Sequence, residues 1–234
     1  ADVPLGAFLS GGVDSSSVVA LMSEASAAPV TSCSIGFDVE SVDETRYARE
    51  VAELFATDHH ERIVSADQFG EIDRIAAIFD EPFADASALP TLRVCELARE
   101  HVTVALSGDG ADEAFAGYRR QLFHAREEQA RSVLPRPIRQ PLFGMLGRLW
   151  PKADWAPRPL RAKTTLLSLA ESGEAGYARA LAILAPEQRK ALYGEALLRD
   201  RGEYRAEQPF EKLMRDAPAR SGLDRAQYAD LKFW

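Results

Sequence analysis

Apolar residues fall into two rhythms along this chain: short unbroken runs, and stripes at helical spacing. Over the first half the two alternate. Residues 3–9 form a run short enough for a buried parallel strand, and Val18, Val19, Leu21 and Met22 then share a helical face. Pro29 breaks that helix. Residues 30–37 read as a second strand, with Gly36 near its end, where a glycine lets a ligand approach the backbone. Ser41-x-x-Glu44 has the form of a capping box ahead of a helix burying Tyr47, Val51, Leu54 and Phe55. A third strand covers residues 58–64. Its neighbours His59 and His60 point to opposite faces, so they cannot chelate one metal. Ser65-x-x-Gln68 opens a helix with Phe69, Ile72, Ile75, Ala76 and Phe79 inward. A polar turn over 80–91 leads into a helix ending near Glu100, and residues 101–106 make a fourth strand. Strands alternating with helices predict an α/β domain on a parallel sheet.

Beyond Arg120 the strand rhythm stops. Leu166, Leu167 and Leu169, then Tyr177, Leu181 and Leu184, lie at helical spacing, and further helices are predicted over 192–198, 210–214 and 228–234. The chain reads as one domain over 1–234, with an α/β core at 1–120 and a helical part at 121–234.

Polar chemistry concentrates where predicted strands end. Residues 9–16 (Leu-Ser-Gly-Gly-Val-Asp-Ser-Ser) join the first strand to the first helix through two glycines, a carboxylate and three hydroxyls. A helix start directs free N–H groups and a positive dipole end outward, and glycine lets phosphate oxygens approach the backbone. A Walker A loop is excluded, because Gly11 is followed by Gly12 and Val13 instead of a lysine and a hydroxyl residue. Adjacent glycines break the dinucleotide pattern, and Phe8 stands where a hydrolase elbow needs its first glycine. The ligand-free alternative is a helix capped by Asp14 or Ser15. The second stretch, residues 107–118, follows the fourth strand and carries three acids in five residues. Complementing a helix dipole stabilises by roughly 0.3–1 kcal/mol per acid, which explains one or two of them but not the glycines beside them. In a parallel sheet both loops lie at the carboxyl edge, where ligands collect.

Composition narrows the class. Of 234 residues, 46% are apolar and 27% charged, as in ordinary globular proteins. No apolar run reaches the ~18 residues of a membrane span, and no signal peptide opens the chain. Cys33 and Cys95 are too few for a disulfide framework and read as buried free thiols, which suits a cytoplasmic protein. Opening at Ala1 and stopping at Trp234 inside a promising segment, the chain reads as an interior piece of something longer. The net charge of −8 argues against a nucleic-acid partner, yet residues 119–163 hold nine arginines and two lysines against three acids, with six of the 13 prolines. That stretch reads as a solvated, proline-broken surface crossover, or alternatively as a basic wall for an acidic partner.

Residues 10–15 (S-G-G-V-D-S) resemble the signature of the PP-loop ATP pyrophosphatases. Asp14 would then lie beside a polyphosphate, a repulsion that a divalent cation relieves, so the loop implies ATP and Mg2+ with Ser10, Ser15 and Ser16 as hydroxyl donors. Together with S-I-G-F at 34–37, E-P-F-A-D-A-S at 81–87 and L-S-G-D-G-A-D-E-A-F-A-G-Y at 106–118, it resembles the synthetase domain of the asparagine synthetase family, glutamine-dependent amidotransferases. The likeness spans residues 2–118 and returns weakly at 228–232. It implies a three-layer core of the adenine nucleotide alpha hydrolase-like type and an ATP-dependent, amide-forming ligase. In that family ATP activates a substrate carboxylate as an acyl-adenylate, pyrophosphate leaves, and ammonia displaces AMP. By matched position, Ser10, Gly11, Gly12, Asp14 and Ser15 would hold pyrophosphate, and Phe8 and Ile35 would contact the nucleotide. Ser107 and Gly108 would lie around adenosine, with Asp14 and Asp112 as the magnesium-side carboxylates. Asp109 stands where asparagine synthetases usually have glutamate, and would face the acceptor or ammonia.

Three departures shape the expectation. The family's glutaminase domain is absent, so ammonia is expected from a part outside this chain. The lysine that stabilises the family's transition state is expected past Trp234, so the chain alone should bind ATP yet release almost no pyrophosphate. Some members grip aspartate through a threonine- and arginine-bearing segment, but the turn at 85–90 has no arginine, so among small-molecule carboxylate acceptors aspartate is not expected to be the preferred one. Asp109 and the ending at 116–120 are similar to exosortase-associated amidotransferases of extracellular polysaccharide clusters. Two competing readings are a PP-loop enzyme adenylating tRNA, which needs a basic face and often zinc-type cysteine pairs, and a non-catalytic nucleotide-binding module. Neither nucleic acid nor membrane is expected as a partner.

Overall fold

The computed structural model describes every residue except 40, 42, 66–70, 80–84, 152–154, 156, 158–160 and 234. Gln68 and Phe69 of the predicted third helix, and the first five residues of the turn at 80–91, lie outside the described residues. The chain divides into two compact units, Ala1–Asp109 and Gly110–Trp234.

The first unit runs β1 (Leu5–Phe8), α1 (Val13–Ala25), β2 (Thr31–Phe37), α2 (Thr45–Leu54), β3 (Asp58–Val64), α3 (Ile72–Ile78), α4 (Ala88–Arg99), β4 (Val104–Leu106). The strands form a parallel sheet in the order β3-β2-β1-β4, with Ala7 of β1 opposite Ser32 on one side and Leu106 on the other. The chain steps outward from β1 to β2 and β3, then returns to the free edge of β1. Strand order therefore reverses between β1 and β4, and such a reversal opens a crevice at the carboxyl ends. Successive strand residues face opposite sides, so Ala7 and Leu9 pack on α1 and α2 with Val19, Ala48 and Ala52. Phe8 and Cys33 pack on the other face with Leu97, Ala98 and Val102. The result is the predicted three-layer α/β core, and opposite faces for opposite directions of travel agree with right-handed crossovers.

Several inward positions differ from the predicted ones. Leu21, Tyr47 and Leu54 are exposed. The inward stripe of α1 is Ser15, Val18, Val19 and Met22, and that of α2 is Thr45, Ala48 and Ala52 with Val51 and Phe55. Small residues carry these stripes, so hydrophobicity alone points to the wrong face. The capping box does not form. Asp43 takes its place, accepting from the Thr45 N–H at 3.3 Å and hydroxyl at 2.9 Å, and these bonds hold its carboxyl below the usual range. Helix α3 buries no residue, and Ile72 and Ala76 are exposed. Strand β4 is shorter than predicted, because His101 and Val102 still donate to Ala98 O at the end of α4. Cys95 is exposed, whereas Cys33 is buried and its thiol is pushed up to about 11 by that burial. His59 lies between the Ser32 and Ser34 hydroxyls, and His60 stacks on His101 with ring centroids 3.5 Å apart.

The second unit runs α5 (Ala111–Phe115), α6 (Arg119–Val133), α7 (Arg136–Leu149), α8 (Lys163–Ala170), α9 (Gly173–Leu181), α10 (Pro186–Leu192), α11 (Glu195–Arg201), α12 (Gln208–Arg215), α13 (Gly222–Phe233). Its core joins α9, α12 and α13 through Tyr177, Ala178, Phe210, Met214, Ala226 and Ala229. Fully buried Asp230 ties in α6, accepting from Gln121 Nε2 at 2.8 Å and from the Tyr177 hydroxyl at 2.7 Å. Leu184, Leu192 and Leu197 are exposed, and α10 and α11 bury nothing. The basic stretch is no simple surface crossover, since α6 and α7 fill most of it. Arg131 donates to Ser168 O at 2.9 Å and pairs with Glu127 and Glu128, while Arg139 donates to the carbonyls of Leu169 and Glu171. Both arginines thus serve the end of α8, whose last carbonyls have no partner within the helix.

This unit should be acid-sensitive. His124 is buried, and neither ring nitrogen has a partner among the described residues. Burial, against Glu128 and Glu174 and with Arg131 and Arg225, pushes its pKa down to about 4 from an ordinary 6.5. A base with a depressed folded pKa contributes its stability fully above the unfolded value and loses it as pH falls from 6.5 towards 4. The loss is roughly 3 kcal/mol at most. Urea midpoints at pH 7.5 and 5 should differ more for the wild type than for His124→Phe, and equal differences would exclude His124 as the cause.

Candidate functional site

The loop after β1 is held by its glycines and by its own hydroxyls. Gly11 is left-handed at φ +81, and a Cβ there would lie 2.5 Å from Tyr47 C and 2.7 Å from Ala48 N, so only glycine lets α2 pack on the turn. Ser15 is buried. Its hydroxyl accepts the Ser10 N–H at 3.2 Å, lies 3.0 Å from Ser10 Oγ and donates to Gly12 O at 3.3 Å. Ser10 Oγ accepts the Gly12 N–H at 3.3 Å, and Ser16 Oγ is buried with no hydrogen-bond partner among the described residues. Ser15 therefore closes the loop, leaving Ser10, exposed at its rim, as the more accessible hydroxyl.

The capped-helix alternative is not what forms. Gly12 is the N-cap of α1 and no side chain caps it; Asp14 lies in the first turn, exposed, with no hydrogen-bond or ion-pair partner among the described residues. The first N–H groups of a helix have no acceptor within it, so a 13-residue helix begins here with its donors and dipole unanswered by a cap.

The loop after β4 closes on the same helix start. A Cβ on Gly108 would lie 2.8 Å from Ser15 N and 3.0 Å from Asp14 Cβ, so pairing of β1 with β4 brings Gly108 against the first turn of α1. Asp109 is exposed and turned back on Ser107, whose hydroxyl donates to it at 2.7 Å and accepts its N–H at 3.1 Å. Phe8 is partly buried against the Cys33 cluster, and Ile35 sits half-buried on β2 opposite Arg62. The space beside Gly36 is taken by Thr45, Asp43 and Ile63, so that glycine admits the start of α2, not a ligand.

Asp112 belongs to the helical unit, on α5. Its neighbour Glu113 accepts the Tyr118 hydroxyl at 2.7 Å, and burial together with this bond pushes that phenol up to about 12. Asp112 itself is half-buried with no partner for its carboxylate among the described residues. Gly117 and Tyr118 belong to a stretch the sequence singles out, yet neither carries a role in the sequence reading. Their signal was the spacing A-F-A-G-Y, which says nothing of contacts.

Taken unit by unit, the chemistry suits a hard cation and phosphate: in the first unit an uncapped helix start with the exposed Asp14 carboxylate, and in the second the Asp112 carboxylate, each a hard oxygen donor without a cation partner among the described residues. Among the described residues no group of three or more His, Cys, Asp or Glu could form a metal cage, and magnesium bound through phosphates needs only one or two carboxylates.

A family model described as asparagine synthase matches residues 1–234, the whole chain. The chain belongs to the asparagine synthase family. This asparagine synthase family chain is 47% identical over 140 residues to the "Putative asparagine synthetase (glutamine-hydrolyzing) 2" of Methanocaldococcus jannaschii, covering 59% of the chain and 27% of that protein. It is 42% identical over 118 residues to asparagine synthetase (glutamine-hydrolyzing) 1 of Bacillus subtilis, covering 50% of the chain and 18% of that protein. A Mycobacterium bovis relative described in the same words as the first, without the number, is 43% identical over 119 residues, with coverage of 50% and 18%. The matched part thus spans less than a third of the length of these relatives. Their descriptions carry the family and not the narrower likeness to exosortase-associated amidotransferases.

Proposed function

We propose that this protein is the synthetase part of an ATP-dependent, amide-forming ligase that adenylates a small carboxylate acceptor, releases pyrophosphate and passes ammonia to the acyl group. The observation that carries it is the uncapped start of α1, bounded by Gly11 and Gly12 and backed by Gly108. Backbone N–H groups of residues 13–15 would hold the pyrophosphate, with Ser10 at the rim and Ser15 keeping the loop closed. Ser107 and Gly108 would lie along the adenosine, with Phe8 and Ile35 nearby. Magnesium, when bound, neutralises the charge that builds on the phosphates as pyrophosphate leaves. Asp14 and Asp112 are the carboxylates assigned to it, and Asp109 would face the acceptor or the incoming ammonia. The relatives' description as glutamine-hydrolyzing supports a glutaminase as the ammonia source.

The acceptor is proposed to be a carboxylate other than aspartate. The turn at 85–90 lacks an arginine, and Arg93, the next one along, is paired with Glu71 at 3.0 Å and Glu96 at 2.8 Å. Arg131 and Arg139 are engaged within their own unit, and the two cysteines, at 33 and 95, form no zinc-type pair, which favours the ligase over the tRNA reading. No helix of the described residues is long and apolar enough to cross a membrane.

The full-length protein, given ATP, magnesium, glutamine and a panel of carboxylates, should release pyrophosphate in an acceptor-dependent way and form little asparagine from aspartate. Robust asparagine formation would overturn the acceptor assignment. Absence of acceptor-dependent pyrophosphate from every carboxylate would overturn the ligase itself.

A further inference from the structure

Helix α5 is only five residues long, so most of its carbonyls need partners from outside. Gln227 of α13 supplies one, its Nε2 donating to Ala114 O at 2.8 Å and to Glu113 O at 3.3 Å. The Gly117 N–H donates to Asp112 O at 2.9 Å. Glu113 is drawn aside by the Tyr118 hydroxyl, and the Tyr118 ring lies under the Arg120 guanidinium, 3.5 Å from the centroid. Arg120 in turn reaches buried Asp230 at 3.5 Å. Two elements, α6 and α13, therefore fix a single helical turn and remove one of its two acids from competition.

Asp112, the remaining acid, folds back over Gly117. A Cβ at position 117 would fall inside the van der Waals envelope of Asp112 Oδ1 and lie 2.9 Å from its Cγ. Gly117 is not left-handed, so its backbone does not itself demand glycine. We propose that Gly117 is a positioning residue for Asp112: the missing side chain is the space in which that carboxylate sits, and residue 117 thereby sets where its oxygens are presented. This rests on the reading of Asp112 as a magnesium-side carboxylate. Alanine would fit the backbone but push the carboxylate to another rotamer, and the acid at the end of a side chain can yield where backbone cannot.

The test is a double-mutant cycle of Gly117→Ala and Asp112→Ala in the full chain, read by the magnesium concentration at half-maximal ATP binding and by thermal unfolding. Asp112→Ala should raise the magnesium requirement about tenfold or more, and Gly117→Ala several-fold, as expected when one coordinating or charge-assisted contact is weakened. The double variant should be no worse than Asp112→Ala, and ATP affinity without magnesium should stay near wild type in Gly117→Ala. A magnesium response altered by Asp112→Ala but wild-type in Gly117→Ala overturns the positioning role alone. An unaltered response in Asp112→Ala overturns the metal reading and the positioning role with it. Should Gly117→Ala unfold, recovery of the fold in the double variant supports the shared space, and failure to recover overturns it.

Discussion

Gly11→Ala is expected to destabilise the first unit by several kcal/mol, whereas Gly12→Ala, one residue on, should leave the fold intact and weaken ligand binding. The two glycines look alike in sequence but meet different surroundings. At position 11 an added Cβ meets the left-handed backbone, a cost of roughly 1–2 kcal/mol, and overlaps the α2 backbone at Tyr47 and Ala48, an overpacking cost of about 1–3 kcal/mol more. Both fall on a domain whose whole stability is on the order of 5–15 kcal/mol. At position 12 the backbone is extended, at φ −68 and ψ 161, and the nearest atom to an added Cβ is Ser10 Oγ at 3.4 Å. Nothing in the fold demands glycine there. If the position is kept open for phosphate, alanine should alter unfolding by less than about 0.5 kcal/mol, as surface changes do. ATP affinity should fall roughly 10- to 100-fold, because the methyl group stands between the oxygens and the N–H groups. Thermal melts beside ATP titrations separate the cases. Wild-type ATP affinity in Gly12→Ala would show that no phosphate approaches this backbone.

The legible parts of the sequence were those carried by local rules. Four strands alternating with helices follow from apolar runs and glycine turns, and the sheet order places the loops at Ser10 and Ser107 at one edge. What escaped depended on contact with distant residues. Ala48 and Ala52 line the inner face of α2 because the sheet leaves little room there, while the larger Tyr47 and Leu54 point outward. Arg131 and Arg139 look like surface charge until α8 ends beside them. The acids at 109, 112 and 113 form one cluster in sequence, in which only the family resemblance distinguishes Asp112; the side chains add that Ser107 engages the first and Tyr118 the third.

Asp14→Asn should blunt the response of ATP binding to magnesium. Asp14 stands exposed in the first turn of α1, with Ser15 closing the loop behind it and no protein cation among the described residues beside it. A carboxylate near a polyphosphate is repelled by it, at about 4 kcal/mol for unit charges 4 Å apart in an effective dielectric of 20, before solvent screening reduces that figure. With magnesium between them the same charge becomes an attraction. Asparagine keeps the shape and removes the charge, so the two conditions should move in opposite directions. Without magnesium, Asp14→Asn should bind ATP as tightly as the wild type or several-fold more tightly. At saturating magnesium it should bind roughly 10- to 100-fold more weakly, or about 1.4–2.8 kcal/mol. Calorimetric titrations of both proteins, with and without magnesium, measure all four affinities. A simple loss in both conditions would mean that Asp14 supports the loop's structure, and equal affinities throughout would remove it from the nucleotide site.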